Sequence, residues 1–257
     1  MATTPSNARA DLHGQVALVT GGGRGLGRGF AGALAAAGAA LAVAAHSAAE
    51  IAETVSLVRD AGGRACASKL DVGDVTDVDG CVAAVEHELG PIDLLVNNAG
   101  VASPPGMDWE VDSSAWWRTL EINLRGPFLC ARDVLPGMIA RQRGRIINIS
   151  SAAAFGNSPS LSAYGVSKAA LTHWSGRLAA QVEQDGVAVI AYAPSVVRTA
   201  MTEPPGDLAR LDPNHPRRFP AYIRGGPRRL PRAYRGGLHG PRLRSRRRPD
   251  RATCVGE

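Results

Sequence analysis

Val16-Ala-Leu-Val-Thr20 runs without a break into Gly21-Gly-Gly-Arg24-Gly25-Leu26-Gly27. The first five residues read as a short buried strand, and the apolar and small residues that follow Gly25 predict a helix over 25–37. Glycines at the junction let the chain turn tightly and bring its backbone close to a pyrophosphate. The free N–H groups and partial positive charge of the helix N-terminus would then point at that phosphate. A glycine-rich turn with no ligand is the plainer alternative. The placement between a first strand and a first helix favours the phosphate-binding reading.

The same alternation continues outward. Strands are predicted over 41–45, 65–72, 93–96, 144–150 and 187–193, and helices over 48–60, 75–89, 113–140 and 162–184. The region 113–140 contains Pro127 and Pro136. Six strands alternating with helices, read as apolar on both faces, predict a parallel sheet covered on both sides. Right-handed crossovers make it a doubly wound α/β sheet in three αβα layers. No internal repeat is apparent. The pattern stops near residue 205.

The 257 residues are 45% hydrophobic, which excludes wholesale disorder. Cys66, Cys81, Cys130 and Cys254 are too few for a disulfide scaffold, and none forms a C-x-x-C pair. The six His show no metal-ligand spacing, so no metal is expected. The net charge of +6 is unevenly spread. Residues 211–257 hold thirteen Arg against two Asp and one Glu, a net of +10, which leaves −4 for residues 1–210. The basic balance is therefore no argument for nucleic-acid binding by the body. The first 14 residues are polar and carry no secretory signal. The uncharged stretch 29–49 is mostly Ala and Gly, too weakly hydrophobic for a membrane span. A soluble cytoplasmic protein with reduced thiols, free of membrane and nucleic acid, is the expectation.

Tyr164-Gly-Val-Ser-Lys168 places a phenol and an ammonium one turn apart on one helix face. A neighbouring cation favours the phenolate, so the Tyr pKa is expected to fall towards neutrality and suit acid–base work. The chain has two Lys and four Tyr among 257 residues, so this spacing arises by chance only about 3% of the time. Ser151 lies 13 residues earlier, just past a predicted strand. Its hydroxyl could hold a carbonyl oxygen beside the phenol, or it could simply end the strand.

Together with Asp71-Val72, Asn97-Asn98-Ala99-Gly100, Asn123 and the segment from Pro194 to Thr199, these motifs resemble the short-chain dehydrogenase/reductase family over roughly residues 11–205. The resemblance implies a Rossmann fold and an NAD(P)-dependent enzyme that interconverts a carbonyl and a secondary alcohol. It implies Tyr164 as acid or base, Lys168 as its partner and ribose ligand, Ser151 on the substrate oxygen, and Asn123 anchoring a relay water. Cofactor contacts carried over are Gly21, Arg24, Gly25, Leu26, Gly27, His46, Asp71, Val72, Asn97, Ala99, Gly100, Tyr164, Lys168, Val197 and Thr199. It also implies a homo-oligomer, a dimer or tetramer, if the C-terminus is intact. Pro194 is followed by Ser195 where the family has Gly, which puts the contacts of Val197 and Thr199 in question.

Charge argues for NADP(H) over NAD(H). Ala45 stands at the end of strand two, where NAD-preferring members carry Asp, so no carboxylate there repels a 2′-phosphate. Arg24 and His46 could pair with that phosphate. The substrate pocket is expected from 101–117, 152–161 and the residues after Thr199, with Met107, Trp109, Trp116, Trp117 and Phe155 as apolar candidates. A 3-oxoacyl thioester, a steroid, a sugar and a small ketone all stay open.

Three segments are expected: an extension over 1–14, the catalytic domain over 15–205, and an irregular Arg/Pro/Gly-rich tail over 206–257. The family's seventh strand is not readable after Arg224. Back-translating 224–251 and shifting the frame gives a segment ending ALASGHADALTGR, which resembles the missing one, so a frameshift near residue 224 is one reading. A genuine tail that binds a polyanion is the other. Two rivals to the enzyme follow: a non-catalytic NADPH-binding regulator, and a chain inactivated by C-terminal damage.

Overall fold

The computed structural model describes residues 11–156 and 158–194. Six strands form one parallel sheet in the order β3-β2-β1-β4-β5-β6. They are β1 (Val16–Thr20), β2 (Ala40–Ala45), β3 (Ala65–Lys69), β4 (Ile92–Asn97), β5 (Gly144–Ile149) and β6 (Val187–Tyr192). The helices are α1 (Gly25–Ala36), α2 (Ala48–Asp60), α3 (Val75–Leu89), α4 (Ser113–Leu120), α5 (Gly126–Ala140) and α6 (Ser162–Gln181).

Side chains alternate across the central strands as a buried parallel sheet requires. Val16 and Leu18 of β1 join the cluster built by α3, α5 and α6. Ala17 and Val19 join the opposite cluster with Ile51, Val55 and Val58 of α2. That is the expected three-layer arrangement. Leu12 also belongs to the second cluster, and its N–H donates to Ala37 O at 2.8 Å. The uncharged stretch 29–49 is divided among α1, β2 and the first residues of α2. No helix among the described residues is long and apolar enough to cross a membrane.

Four expectations need correction. The third strand stops at Lys69, not Val72: Leu70 N–H still reaches Ala45 O, but the chain then turns, with Asp74 N–H closing on Asp71 O. As the sheet's edge β3 has exposed positions, so it is not apolar on both faces. The helical region 113–140 carries a π-helical turn at Glu121–Arg125, with Pro127 in the first turn of α5. Helix α6 ends at Gln181, where Val182 N–H closes on Leu178 O. The expected position of a seventh strand, the tail and the residues from Ser195 onward lie outside the described residues.

From β1 the chain winds outward through β2 and β3, then crosses back to place β4 on the other side of β1. Such a switch point opens a crevice at the carboxyl ends of β1 and β4.

Candidate active site

The crevice is built by two loops zipped together. Thr20 Oγ1 accepts from the N–H groups of Asn98 and Ala99, both at 3.1 Å. Asn98 Nδ2 returns bonds to Thr20 O and Gly21 O at 3.0 and 3.1 Å. Gly21 has φ +63°, and a Cβ there would lie 2.8 Å from Ala99 Cα. A Cβ on Gly27 would lie 2.1 Å from Gly21 O. The backbone thus forms a cradle that side chains would fill. Arg24 at the N-cap of α1 makes no side-chain cap, and no acid stands in the first turn. The N-terminal N–H groups of α1 are left for a phosphate, which fits a dinucleotide.

Around the far end of the crevice, Asp71 Oδ1 accepts from Gly73 N–H at 2.8 Å and Oδ2 pairs with Arg118 at 2.6 Å. Burial works to raise the Asp71 carboxyl, but Gly73 and Arg118 outweigh it and hold it below the usual carboxylate value. His46 is exposed beside it, and Val72 is buried against Gly126. The Asn97 side chain turns inward, donating to Asn148 Oδ1 at 2.8 Å and to Pro127 O at 3.3 Å. Only its backbone can offer anything to a ligand.

Asn123 is fully buried in the π-helical turn. Its Oδ1 accepts from Val101 N–H at 2.8 Å, and its Nδ2 donates to Val101 O and Ser167 Oγ at 2.9 and 3.1 Å. Gly100 packs so closely that a Cβ would come 3.2 Å from Asn123 Oδ1 and 3.6 Å from Lys168 Nζ. Lys168 Nζ donates to Ile149 O at 2.8 Å and lies 5.7 Å from the centre of the Tyr164 ring. Ser151 caps a 3₁₀ turn (Ala152–Phe155), its Oγ accepting from Ala153 N–H at 3.2 Å, and its hydroxyl stands close enough to the Tyr164 phenol to favour the phenolate. Tyr164 N–H, an orphan donor in the first turn of α6, is satisfied by Ser103 Oγ at 2.8 Å. Asn123, Ser151, Tyr164 and Lys168 therefore meet at one end of the cradle.

The electrostatics differ from the expectation. Burial pushes the Tyr164 phenol above its ordinary value, and the Ser151 hydroxyl beside it only partly offsets this. Burial also pulls Lys168 down to about 8. Both groups share a desolvated site, so burial shifts each towards its neutral form, and Lys168 does not bring the phenol towards neutrality.

Trp116 anchors the pocket wall, its Nε1–H donating to Ser162 Oγ at 3.1 Å. Trp109, Trp117, Phe155 and Met107 stay exposed. A cavity of about 280 Å³ lies between Asp108, Val111, Ser113, Trp116 and Trp117. A larger groove of about 710 Å³ runs between α4, α5 and α6 and includes none of the four clustered polar residues. Val197 and Thr199 lie outside the described residues. No metal-holding cluster of His, Cys, Asp and Glu occurs among the described residues. Sequence reasoning missed Thr20, Asn98, Ser103 and Arg118 as supports. Asn98 stood in a quoted motif, whereas nothing local singles out Ser103 or Arg118.

Comparison with known proteins settles the family. The sequence model of the short chain dehydrogenases matches residues 15–207. The chain belongs to the short-chain dehydrogenase/reductase family. It is an NAD(P)-dependent oxidoreductase. A short chain dehydrogenase of Pseudocercospora fijiensis is 38% identical over 216 residues, covering 84% of this chain and 70% of that protein. A 3-oxoacyl-[acyl-carrier-protein] reductase of Synechocystis is 36% identical, covering 75% and 78%. Among solved structures, a metagenomic short-chain oxidoreductase in complex with NADP superposes with TM-score 0.69 at 34% identity, covering 72% of this chain and 84% of that one. An NAD⁺-bound xylitol dehydrogenase does so with TM-score 0.69 at 32% identity, covering 71% and 70%. One of these two structures thus holds NADP and the other NAD⁺.

Proposed function

We propose that this short-chain dehydrogenase/reductase interconverts a ketone and a secondary alcohol, with Tyr164 as the proton donor or acceptor. The observation that carries the reading is the convergence of Ser151, Tyr164 and Lys168 beside the glycine cradle. A bound nicotinamide would supply or take the hydride. Ser151 Oγ holds the substrate oxygen next to the phenol, which gives that oxygen its proton in reduction. The phenol carries its proton in the resting site, which burial favours, and so can act as the donor in reduction. Lys168 binds the ribose and is charged below about pH 8. Asn123 pins Val101 to the helix and holds the relay side of the site in place. Gly21, Gly25, Leu26, Gly27, Asp71, Val72, Asn97, Ala99, Gly100, Val197 and Thr199 are assigned to the dinucleotide.

NADP(H) is favoured over NAD(H), because Ala45 brings no carboxylate to the end of β2 while Arg24 and His46 stand nearby. Substrates in scope are 3-oxoacyl thioesters and other small ketones. The groove of α4, α5 and α6, with Trp117, Leu120, Phe128 and Trp174 beside Glu121 and Arg177, suits a second copy of the chain, which would match apolar to apolar and acid to base. Free Cys66, Cys81 and Cys130 accord with a cytoplasmic setting. The domain is assigned to 15–205, and resequencing the coding DNA across 215–235 decides between a frameshift and a real tail.

The deciding experiment is Tyr164→Phe assayed on a carbonyl panel with NADPH, alongside NADPH binding. Turnover is expected to fall about 10²–10⁴-fold while binding stays within a few-fold. A variant retaining more than about a tenth of the activity refutes the assignment. Wild-type binding without turnover would instead support a dinucleotide-sensing regulator.

A further inference from the structure

Two arginines face α2 from the glycine loop and the start of α1, and they are held very differently. Arg28 is locked. Its Nε and Nη2 donate to Gly23 O at 3.0 and 2.7 Å, its Nε also reaches Thr54 Oγ1 at 3.1 Å, and Glu53 takes both terminal nitrogens at 2.8 and 2.7 Å. Arg24 has a single ionic contact, Nη1 to Glu50 Oε1 at 3.3 Å, with 68% of its side chain exposed.

The backbone of Glu50 is held in place beside the loop. Its N–H donates to Ser47 Oγ at 3.4 Å, and its carbonyl accepts from Thr54 Oγ1 at 3.1 Å. A Cβ on Gly23 would lie only 2.7 Å from Glu50 Cβ, so loop and helix abut. A carboxylate therefore stands at the edge of the loop that the cofactor reading assigns to the 2′ end of the dinucleotide, within 3.3 Å of Arg24. The absence of an acid at Ala45 does not make this corner free of negative charge.

We propose that Glu50 is a specificity-determining residue that restrains the preference for NADP(H). It holds Arg24 when the ribose carries a 2′-hydroxyl, and it must give Arg24 up when the ribose carries a 2′-phosphate. Loss of that ion pair and repulsion by the released carboxylate both work against the phosphate. The neighbouring cation, Arg28, is spent on Gly23 and Glu53 and cannot replace Arg24. The inference rests on the assignment of Arg24 to the 2′-phosphate.

The test is equilibrium binding of NADPH and NADH to the full chain, for wild type, Glu50→Gln, Arg24→Gln and the double variant. Gln keeps the shape, and the backbone bonds at Glu50 do not involve its side chain. Glu50→Gln should tighten NADPH about two- to fivefold and leave NADH within twofold. Arg24→Gln should weaken NADPH, and the gain from Glu50→Gln should shrink in its background. A ratio of NADPH to NADH affinity unchanged by Glu50→Gln overturns the proposal, as does an Arg24→Gln variant that binds NADPH like wild type. If Glu50→Gln loses both dinucleotides through misfolding, Glu50→Ala, which keeps the same backbone bonds, is measured in its place, with the same tightening of NADPH expected and an unchanged ratio overturning the proposal. Failure of wild type to bind either dinucleotide would sink the oxidoreductase reading itself; a fixed ratio with both bound sinks only the role of Glu50.

Discussion

Lys168→Met should remove a pH-dependent stability term that the wild type carries. Burial lowers the Lys168 pKa from 10.5 to about 8, with its ammonium kept on Ile149 O. Below pH 8 the folded and unfolded chains both hold the proton, and folding bears the full cost of burying the charge. Between pH 8 and 10.5 the folded chain has released it while the unfolded chain still binds it. Stability therefore rises with pH across that window. At about 1.36 kcal/mol per pKa unit, the gain reaches about 2 kcal/mol by pH 9.5 and about 3 kcal/mol once both states are deprotonated. Met fills similar space without a titrating group, so its variant lacks the rise. Losing the bond to Ile149 O shifts the Met curve by an amount that does not vary with pH. Urea unfolding of both proteins at pH 7.0, 8.0, 9.0 and 9.5 gives the comparison. The wild-type curve should climb relative to the variant by about 2 kcal/mol from pH 7 to 9.5. Parallel curves would show that Lys168 titrates normally in the folded chain and would refute the desolvated site.

Gly27→Ala should gain a little helix propensity and lose far more, since its Cβ would sit 2.1 Å from Gly21 O; dinucleotide binding by calorimetry should fall more than tenfold, and a normal affinity would refute the cradle. Ala45→Asp should weaken NADPH and favour NADH, read as the ratio of kcat/KM for the two cofactors; an unchanged ratio means position 45 does not approach the ribose. Asn148→Ala should cost about 1–3 kcal/mol in chemical denaturation, because it breaks bonds to Asn97 and Ser175, each 2.8 Å, in a fully buried chain. A loss under 0.5 kcal/mol, on the order of an ordinary surface change, would show that the network is not stabilising.

Much of this protein was legible in one dimension. Strand and helix announce themselves by short-range periodicity, so the alternation from Val16 to Tyr192 and the glycine turn at Gly21–Gly27 could be read residue by residue. The Tyr164–Lys168 pair was equally visible, because a spacing of four fixes two side chains on one helix face. The tertiary structure decided what depends on neighbours distant in sequence. The π-helical turn that buries Asn123 against Val101 breaks the helix period only locally. The bonds from Thr20 to Asn98 join residues 78 apart, which no local pattern encodes. The raised Tyr164 and lowered Lys168 come from loss of water, a property of packing and not of spacing. Glu50 reaches Arg24 because α2 folds back against the glycine loop, so the charge at that corner could be counted only once the chain had brought the two together.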